Sequence, residues 1–225
     1  MERKHIAIAI DGPAAAGKST IAKEVAKRLH FVYVDTGAMY RAFTYAVIKA
    51  GLSPEDEKES CSLIGRVKID LLPDQRVLCN DEDVTRIIRT PEVSSKVSYI
   101  ASYKAIRLAL IELQRQMASA HDVVMDGRDI GSYVLPDAQV KIYQIASVET
   151  RAKRRYKENQ EKGIPTSYEE VVEDVKKRDY IDSHRDFDPL MKAEGAVELD
   201  TSNLTIEEVV QAVLSIIQEK TGVRA

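Results

Sequence analysis

Gly12-Pro13-Ala14-Ala15-Ala16-Gly17-Lys18-Ser19 follows directly on the apolar run Ile6 to Ile10 and leads directly into a helical stretch from Thr20 to Leu29. The string fits G-x-x-x-x-G-K-[ST] between a strand and a helix, the setting a phosphate-binding loop requires. Glycines let backbone N–H groups curl around a phosphate, and the helix that follows offers its positive N-terminal end to the same group. Lys18 adds a point charge and Ser19 a hydroxyl suited to Mg²⁺. Gly12, Pro13, Ala14, Ala15, Ala16, Gly17, Lys18, Ser19 and Thr20 are therefore the expected cradle for a nucleoside triphosphate. The alternative, a glycine-bearing strand-to-helix turn without a ligand, leaves the Lys18-Ser19 pair unexplained.

Outward from this loop, short apolar runs alternate with helical patterns, which predicts βα units around a mostly parallel sheet. The expected strands are Ile6 to Ile10, Phe31 to Val34, Val123 to Met125, Val140 to Ile145 and Ala196 to Leu199. The last helix is announced by a capping box, Thr205 with Glu208, followed by Ile206, Val209, Val210, Val213 and Ile217 on one face. Val97 to Met117 reads as one long amphipathic helix. From about Ser53 to Thr90 the texture changes: Ser53-Pro54 opens a short acidic helix, and two apolar stretches flank Pro73-Asp74-Gln75 like a hairpin. A second charged region, Arg151 to Arg185, is helical with an interruption at Gly163-Ile164-Pro165, a composition suited to a lid.

At 225 residues, the chain has the length of one domain with small inserts. Hydrophobic residues at 44% and charged residues at 31% are ordinary for a soluble globular protein, and the net charge of -3 argues against a nucleic-acid-coating surface. Cys61 and Cys79 have no zinc-ligand spacing and make no disulfide framework, so two reduced thiols in the cytoplasm are expected. Behind Glu2, Arg3 and Lys4, the run Ile6 to Ile10 is too short for a signal segment or membrane span. There is no Asn-Lys-x-Asp, the motif a guanine-reading GTPase carries. Asp126 ends the Val123 to Met125 strand and is a candidate to hold Mg²⁺ through water; a carboxylate capping the Gly127 turn is the alternative.

Asp35-Thr36-Gly37-Ala38-Met39-Tyr40-Arg41 resembles the bacterial cytidylate kinase family, and three further blocks agree: Ile88 to Val93, Asp126-Gly127-Arg128-Asp129-Ile130-Gly131, and Lys177-Arg178-Asp179 running on to Asp182 and Arg185. The resemblance spans nearly the whole chain. It implies an α/β P-loop nucleoside monophosphate kinase fold, with a five-stranded parallel sheet flanked by helices. Residues 53–90 fall where a monophosphate-binding insert belongs and residues 151–185 where a lid belongs. It further implies ATP as donor, Mg²⁺ as cofactor, CMP and dCMP as acceptors, a place in pyrimidine nucleotide metabolism, and a cytoplasmic monomer with no nucleic acid or membrane partner. Ala15 departs from the glycine that many relatives carry, but its backbone N–H is retained.

By this resemblance Arg41 and Arg128 grip the acceptor phosphate, as a planar fork suits, and Thr36 adds a hydroxyl. Asp129 reads the base: cytosine offers an amino group where uracil offers a carbonyl oxygen, so a carboxylate accepts from one and repels the other. Ser98 and Arg107 are further base contacts, Arg178 and Asp182 take the sugar hydroxyls, and Arg185 supplies charge near the phosphates. Spacing puts Arg178, Asp182 and Arg185 on one helix face if that helix continues so far. Arg151 and Arg155 are expected to reach the transferring phosphoryl group, with Arg154 a bystander. Catalysis would rest on alignment and on Lys18, Mg²⁺, Arg41, Arg128, Arg151, Arg155 and Arg185 neutralising charge, because the acceptor is already an anion. A kinase for UMP, AMP or a small alcohol is the nearest rival, and a nucleotide-dependent switch the rival of another class.

Overall fold

The computed structural model describes residues 5–161 and 163–225; Glu2, Arg3 and Lys4 lie outside the described residues. The first apolar run forms β1 (Ala7–Asp11), buried from Ile8 onward. After the phosphate loop, α1 (Lys18–Leu29) buries Ile21, Ala22, Val25, Ala26 and Leu29, the i, i+4, i+8 stripe of a helix lying on a sheet. β2 (Val32–Asp35) leads into α2 (Thr36–Lys49), whose N-terminus is capped by the Asp35 side chain accepting from the Ala38 N–H at 2.8 Å. Then come α3 (Glu57–Cys61), β3 (Ile69–Leu71), β4 (Val77–Cys79) and β5 (Glu82–Asp83), the three strands forming a separate antiparallel sheet. A 3₁₀ turn at Ile87–Arg89 and α4 (Pro91–Ser94) precede α5 (Val97–Ser102) and α6 (Lys104–Ala120). β6 (Val123–Gly127), a π turn at Ile130–Val134, β7 (Val140–Ile145), α7 (Val148–Glu161), α8 (Tyr168–His184), β8 (Val197–Asp200) and α9 (Ile206–Thr221) complete the chain.

The main sheet has the order β2-β6-β1-β7-β8 with every pair parallel. Its pleat sorts side chains by alternation: Ala9, Val123 and Met125 join the α2 and α6 side, while Ile8, Ile10 and Val124 join α1 and α9. Burial on both faces explains why these strands read as unbroken apolar runs. α9 starts with the expected capping box and buries Val209, Val210, Val213 and Ile217. A small third cluster, Ala152, Val171 and Val175, joins α7 to α8.

Several sequence expectations are corrected. Most strands sit a residue later than read. The acidic helix begins at Glu57, capped by Asp56 rather than opened by Ser53-Pro54. The long helix breaks at Tyr103, which is extended (φ -76°, ψ 114°) and whose hydroxyl donates to the Pro54 carbonyl at 3.0 Å. Arg107 Nη1 then donates at 3.1 Å to the Ala101 carbonyl, in the last turn of α5. α8 ends at His184, so Arg185 lies just beyond the helix. Cys61 and Cys79 are free thiols. Among the described residues, no helix is long and apolar enough to cross a membrane.

Candidate active site

The carboxyl ends of the main strands border one cavity of about 760 Å³. β1 delivers the phosphate loop to it, β2 delivers Asp35 and Thr36, β6 delivers Asp126 to Asp129, β7 delivers Gln144, and Thr201 follows β8. This edge is where open α/β sheets bind ligands, because the loops and helix N-termini there converge.

Within the phosphate loop, Gly12 packs against the Gln144 backbone so closely that a Cβ would collide with its carbonyl oxygen. Gln144 Nε2 donates to the Ala16 carbonyl at 2.6 Å. Ala15 holds a left-handed φ of 57°, and its methyl packs on the Ala152, Val171 and Val175 cluster, tying the loop to α7 and α8. Ala15 through Thr20 face the cavity, whereas Pro13 and Ala14 serve through their carbonyls. Lys18 is 4% exposed and donates to the Pro13 carbonyl at 2.8 Å. Burial, and then the Arg128 guanidinium, lowers its ammonium from the usual 10.5 to about 7.

Ser19 Oγ donates to Asp126 Oδ2 at 2.9 Å, and the Tyr33 hydroxyl donates to Oδ1 at 2.7 Å. Burial, with Asp35 nearby, raises the Asp126 carboxyl above its ordinary value. These hard oxygens fit Mg²⁺, which keeps water and phosphate ligands and needs few from protein. Among the described residues, no group of three or more His, Cys, Asp or Glu is gathered to hold an ion by itself.

Toward β2, Arg41 and Arg89 both face the cavity and both touch Asp35, at 3.4 Å and 3.0 Å. Burial would lift the Asp35 carboxyl, but the two guanidiniums and the Ala38 N–H outweigh it and hold it low. Arg89 carries no role in the sequence reading, although it lies within a block quoted for the resemblance; its place beside Arg41 depends on the packing of the 3₁₀ turn. Thr36 Oγ1 donates to the Asp126 carbonyl at 2.7 Å. Arg128 Nε donates to Asp182 Oδ2 at 2.7 Å. Burial works against the Asp182 anion, but Arg128 and Arg178 hold its carboxyl below the ordinary value. Arg178, lowered to about 10 by burial and then by Arg128, also lines the cavity.

Deeper on this side, Ser98 and Arg107 line the cavity, the latter 1% exposed. Arg107 Nη2 donates to Asp129, and the same nitrogen reaches Asp188 Oδ2 at 3.1 Å. Arg185 Nη2 approaches Asp129 Oδ1 at 3.4 Å, while its Nε donates to the Asp188 carbonyl. Asp11, another residue absent from the sequence reading, fixes the loop bearing Asp129 by accepting from the Ile130 and Gly131 N–H groups at 2.8 and 2.7 Å. Burial raises its carboxyl to about 7.

The α7 arginines divide differently from the sequence expectation. Arg151 is 4% exposed and spent on the Ala146 and Ala14 carbonyls, at 2.9 and 3.1 Å, and on Asp179 at 2.7 Å. It props the phosphate loop from behind. Arg154 and Arg155 line the cavity instead, Arg154 donating to the Ala16 carbonyl at 3.0 Å and the Thr201 carbonyl at 2.6 Å. Arg151 and Arg155 lie one turn apart on the same face of α7, so position along the helix separates them: the turn of Arg151 packs on Ala14 and Asp179, and the next turn reaches the cavity.

A phosphate loop beside a second, arginine-lined compartment on the same sheet edge defines a P-loop kinase. The model of the cytidylate kinase family matches residues 8–219. The cytidylate kinase of Bacillus velezensis is 51% identical over 221 residues, covering 97% of this chain and 99% of its own, and that of Anoxybacillus flavithermus is 50% identical over 223 residues, covering 98% and 99%. Among solved structures, an uncharacterized protein from Eubacterium ventriosum shares the fold at TM-score 0.54 and 15% identity, with 96% of this chain and 99% of that one covered. The chain belongs to the cytidylate kinase family.

Proposed function

We propose that this protein transfers the γ-phosphoryl group of ATP to CMP or dCMP, giving CDP or dCDP, and that the β2–β6 side of the cavity holds the acceptor. The observation that carries this reading is the position of Asp129 and Arg107 at the deep end, beyond the cationic groups of Arg41, Arg89 and Arg128. A monophosphate gripped by those arginines can extend its base toward Asp129, whose carboxylate accepts from a cytosine amino group. Ser98 and Arg107 supply donors at the same end, and Arg178 and Asp182 suit the sugar hydroxyls.

The donor then takes the other direction from Lys18. Its phosphates lie in the loop N–H groups from Ala15 to Thr20, and its base meets the β8 side, where Leu204, Ile206 and Val209 give an apolar surface. Ser19 and Asp126 would hold Mg²⁺, which supplies charge neutralisation on the phosphates. Arg154 and Arg155 are the α7 cations nearest the loop, so they take the role first read for Arg151 and Arg155, while Arg151 acts through the Ala14 carbonyl. Residues 151–185 form the lid and 53–90 the monophosphate-binding insert. Closure brings Arg155, Arg178 and Arg185 around the transferring group and excludes water that would otherwise hydrolyse ATP. No strong base is required because the attacking oxygen is already anionic. A monomer in the cytoplasm is the working state.

The test is ADP release with Mg·ATP and CMP, dCMP, UMP, AMP or GMP, each against a blank without acceptor. Fast release with CMP and dCMP, weak release with UMP and almost none in the blank is expected. Equal release with and without acceptors would make the protein a hydrolase or switch.

A further inference from the structure

Asp188 follows α8 in a segment with no ladder hydrogen bonds and adopts a left-handed φ of 58°, a conformation Asp tolerates better than most residues. Its side chain is 9% exposed and does not itself line the cavity, although Arg107, to which it is bonded, does. Oδ2 accepts from Arg107 Nη2 at 3.1 Å, and the same nitrogen donates to Asp129 Oδ2. One nitrogen of Arg107 is thus shared between two acids, which it draws close together. Two adjoining carboxylates cannot both ionise without strong repulsion, so one proton between them is the favourable state.

We propose that Asp188 is a positioning residue of the acceptor-base site: its carboxyl proton is donated to Asp129 while its oxygen steadies Arg107, and loss of that proton weakens CMP binding. The proposal rests on the reading that Asp129 and Arg107 face the acceptor base. With the proton in place, one lone pair of Asp129 is engaged from behind and the carboxylate keeps others for the cytosine amino group. Without it, Asp188 competes for the Arg107 guanidinium and repels Asp129 from its place.

Burial, followed by the hydrogen bond and charge of Asp129, lifts the Asp188 carboxyl to about 8, with Arg107 acting in the opposite direction. The groups that face it are few. α6 contributes Arg107, with Lys104 over the Phe187 ring; α2 contributes the Tyr40 phenol, pushed upward by burial; the loop after β6 contributes Asp129; its own segment contributes Arg185. Asp186 on that segment is exposed. A carboxyl with a raised value is protonated below it, so the favourable arrangement exists at neutral pH and is lost as pH rises through about 8. CMP has already taken its second phosphate charge near about pH 6 and does not follow this titration.

The experiment measures KM for CMP at saturating ATP from about pH 7 to about pH 9.5 in the wild type, Asp188→Asn and Asp188→Ala, with KM for ATP alongside. A rise of about tenfold in wild-type KM for CMP is expected, the change that a one-unit difference in pKa between free and CMP-bound protein produces. Asp188→Asn, whose amide donates permanently, flattens that rise. Asp188→Ala raises KM for CMP about tenfold at all pH values, with KM for ATP moving less than about twofold. A wild-type KM for CMP independent of pH, or an identical rise in Asp188→Asn, overturns the proposal. Loss of CMP-over-UMP preference in Asp129→Ala stands as a separate readout. If it is seen while the Asp188 profiles coincide, the acceptor reading holds and the Asp188 inference fails. If Asp129→Ala keeps the full preference, the acceptor-base reading itself fails.

Discussion

Ser19 Oγ and Asp126 Oδ2 are 2.9 Å apart, so the hydroxyl that ends the phosphate loop on β1 is tied to the carboxylate that ends β6. The two strands are neighbours with Ile10 opposite Asp126, which fixes this meeting by sheet register rather than by loop chance. An ion entering between them finds a hydroxyl oxygen and a carboxylate already in place. Asp126→Asn keeps the volume and one acceptor but removes the charge. It should lower kcat by about a hundredfold to a thousandfold and shift the Mg²⁺ dependence to higher concentration. Steady-state rates over a Mg²⁺ titration check this; an unaltered Mg²⁺ midpoint would return Asp126 to a purely structural cap.

Lys18 makes ATP binding a proton-linked event. Burial and Arg128 lower its ammonium to about 7 in the free protein, so at pH 8 it is mostly neutral. A polyphosphate in the loop brings anions to Nζ and favours the charged form, so binding at that pH takes up close to one proton. The sign follows: affinity for ATP is fully expressed below about pH 7 and falls as pH rises above it. Calorimetry at pH 8 in buffers of different ionisation enthalpy measures the uptake, and a heat independent of buffer would show that Lys18 is already charged before ATP arrives.

Arg151 and Arg154, three residues apart on α7, should fail in different ways when cut to alanine. Removing Arg151 leaves the buried Ala14 and Ala146 carbonyls without a donor and the partly exposed Asp179 carboxylate without its cation, a loss of about 2 kcal/mol in stability. Removing Arg154 frees two carbonyls that border the cavity, and the Ala16 carbonyl keeps its Gln144 donor, so the melting temperature should move little while kcat falls about tenfold or more. Thermal melts beside rate measurements separate the two. A larger melting shift in Arg154→Ala than in Arg151→Ala would reverse the assignment.

These arginines also mark how far the sequence could be read. The phosphate loop was legible because its chemistry is contiguous: strand, loop, lysine, hydroxyl and helix lie within a few residues. The strands and α9 were legible because burial on a sheet imposes local periods. Asp129 and Arg107 came with the resemblance, as motif positions. What could not be read was set by which groups pack together across the chain. Arg151 and Arg154 differ in which partners packing brings to them, Ala14 and Asp179 for the first and Ala16 and Thr201 for the second. Tyr103 breaks a helix because its hydroxyl finds Pro54 about fifty residues earlier. Asp11 and Gln144 look like a strand end and an ordinary strand polar residue until the loop after β6 and the phosphate loop settle on them. Asp188 sits in a stretch with no periodic pattern at all.

Base selection should rest on Asp129. The cytosine amino group can donate to its carboxylate, whereas uracil would set a carbonyl oxygen against the same anion. Asp129→Ala should therefore cut the CMP-over-UMP ratio of kcat/KM by about tenfold to a hundredfold, mostly by losing CMP rather than gaining UMP. The buried Arg107 does not become an unpaired cation in this variant, because Asp188 Oδ2 and the Ala101 carbonyl still hold it at 3.1 Å each. Stability and KM for ATP should accordingly stay close to wild type, which separates a specificity effect from a folding one. Rates with CMP and UMP, measured beside a thermal melt, decide the matter: a variant that stays folded and keeps the wild-type ratio would move base recognition away from Asp129, toward Ser98 on α5.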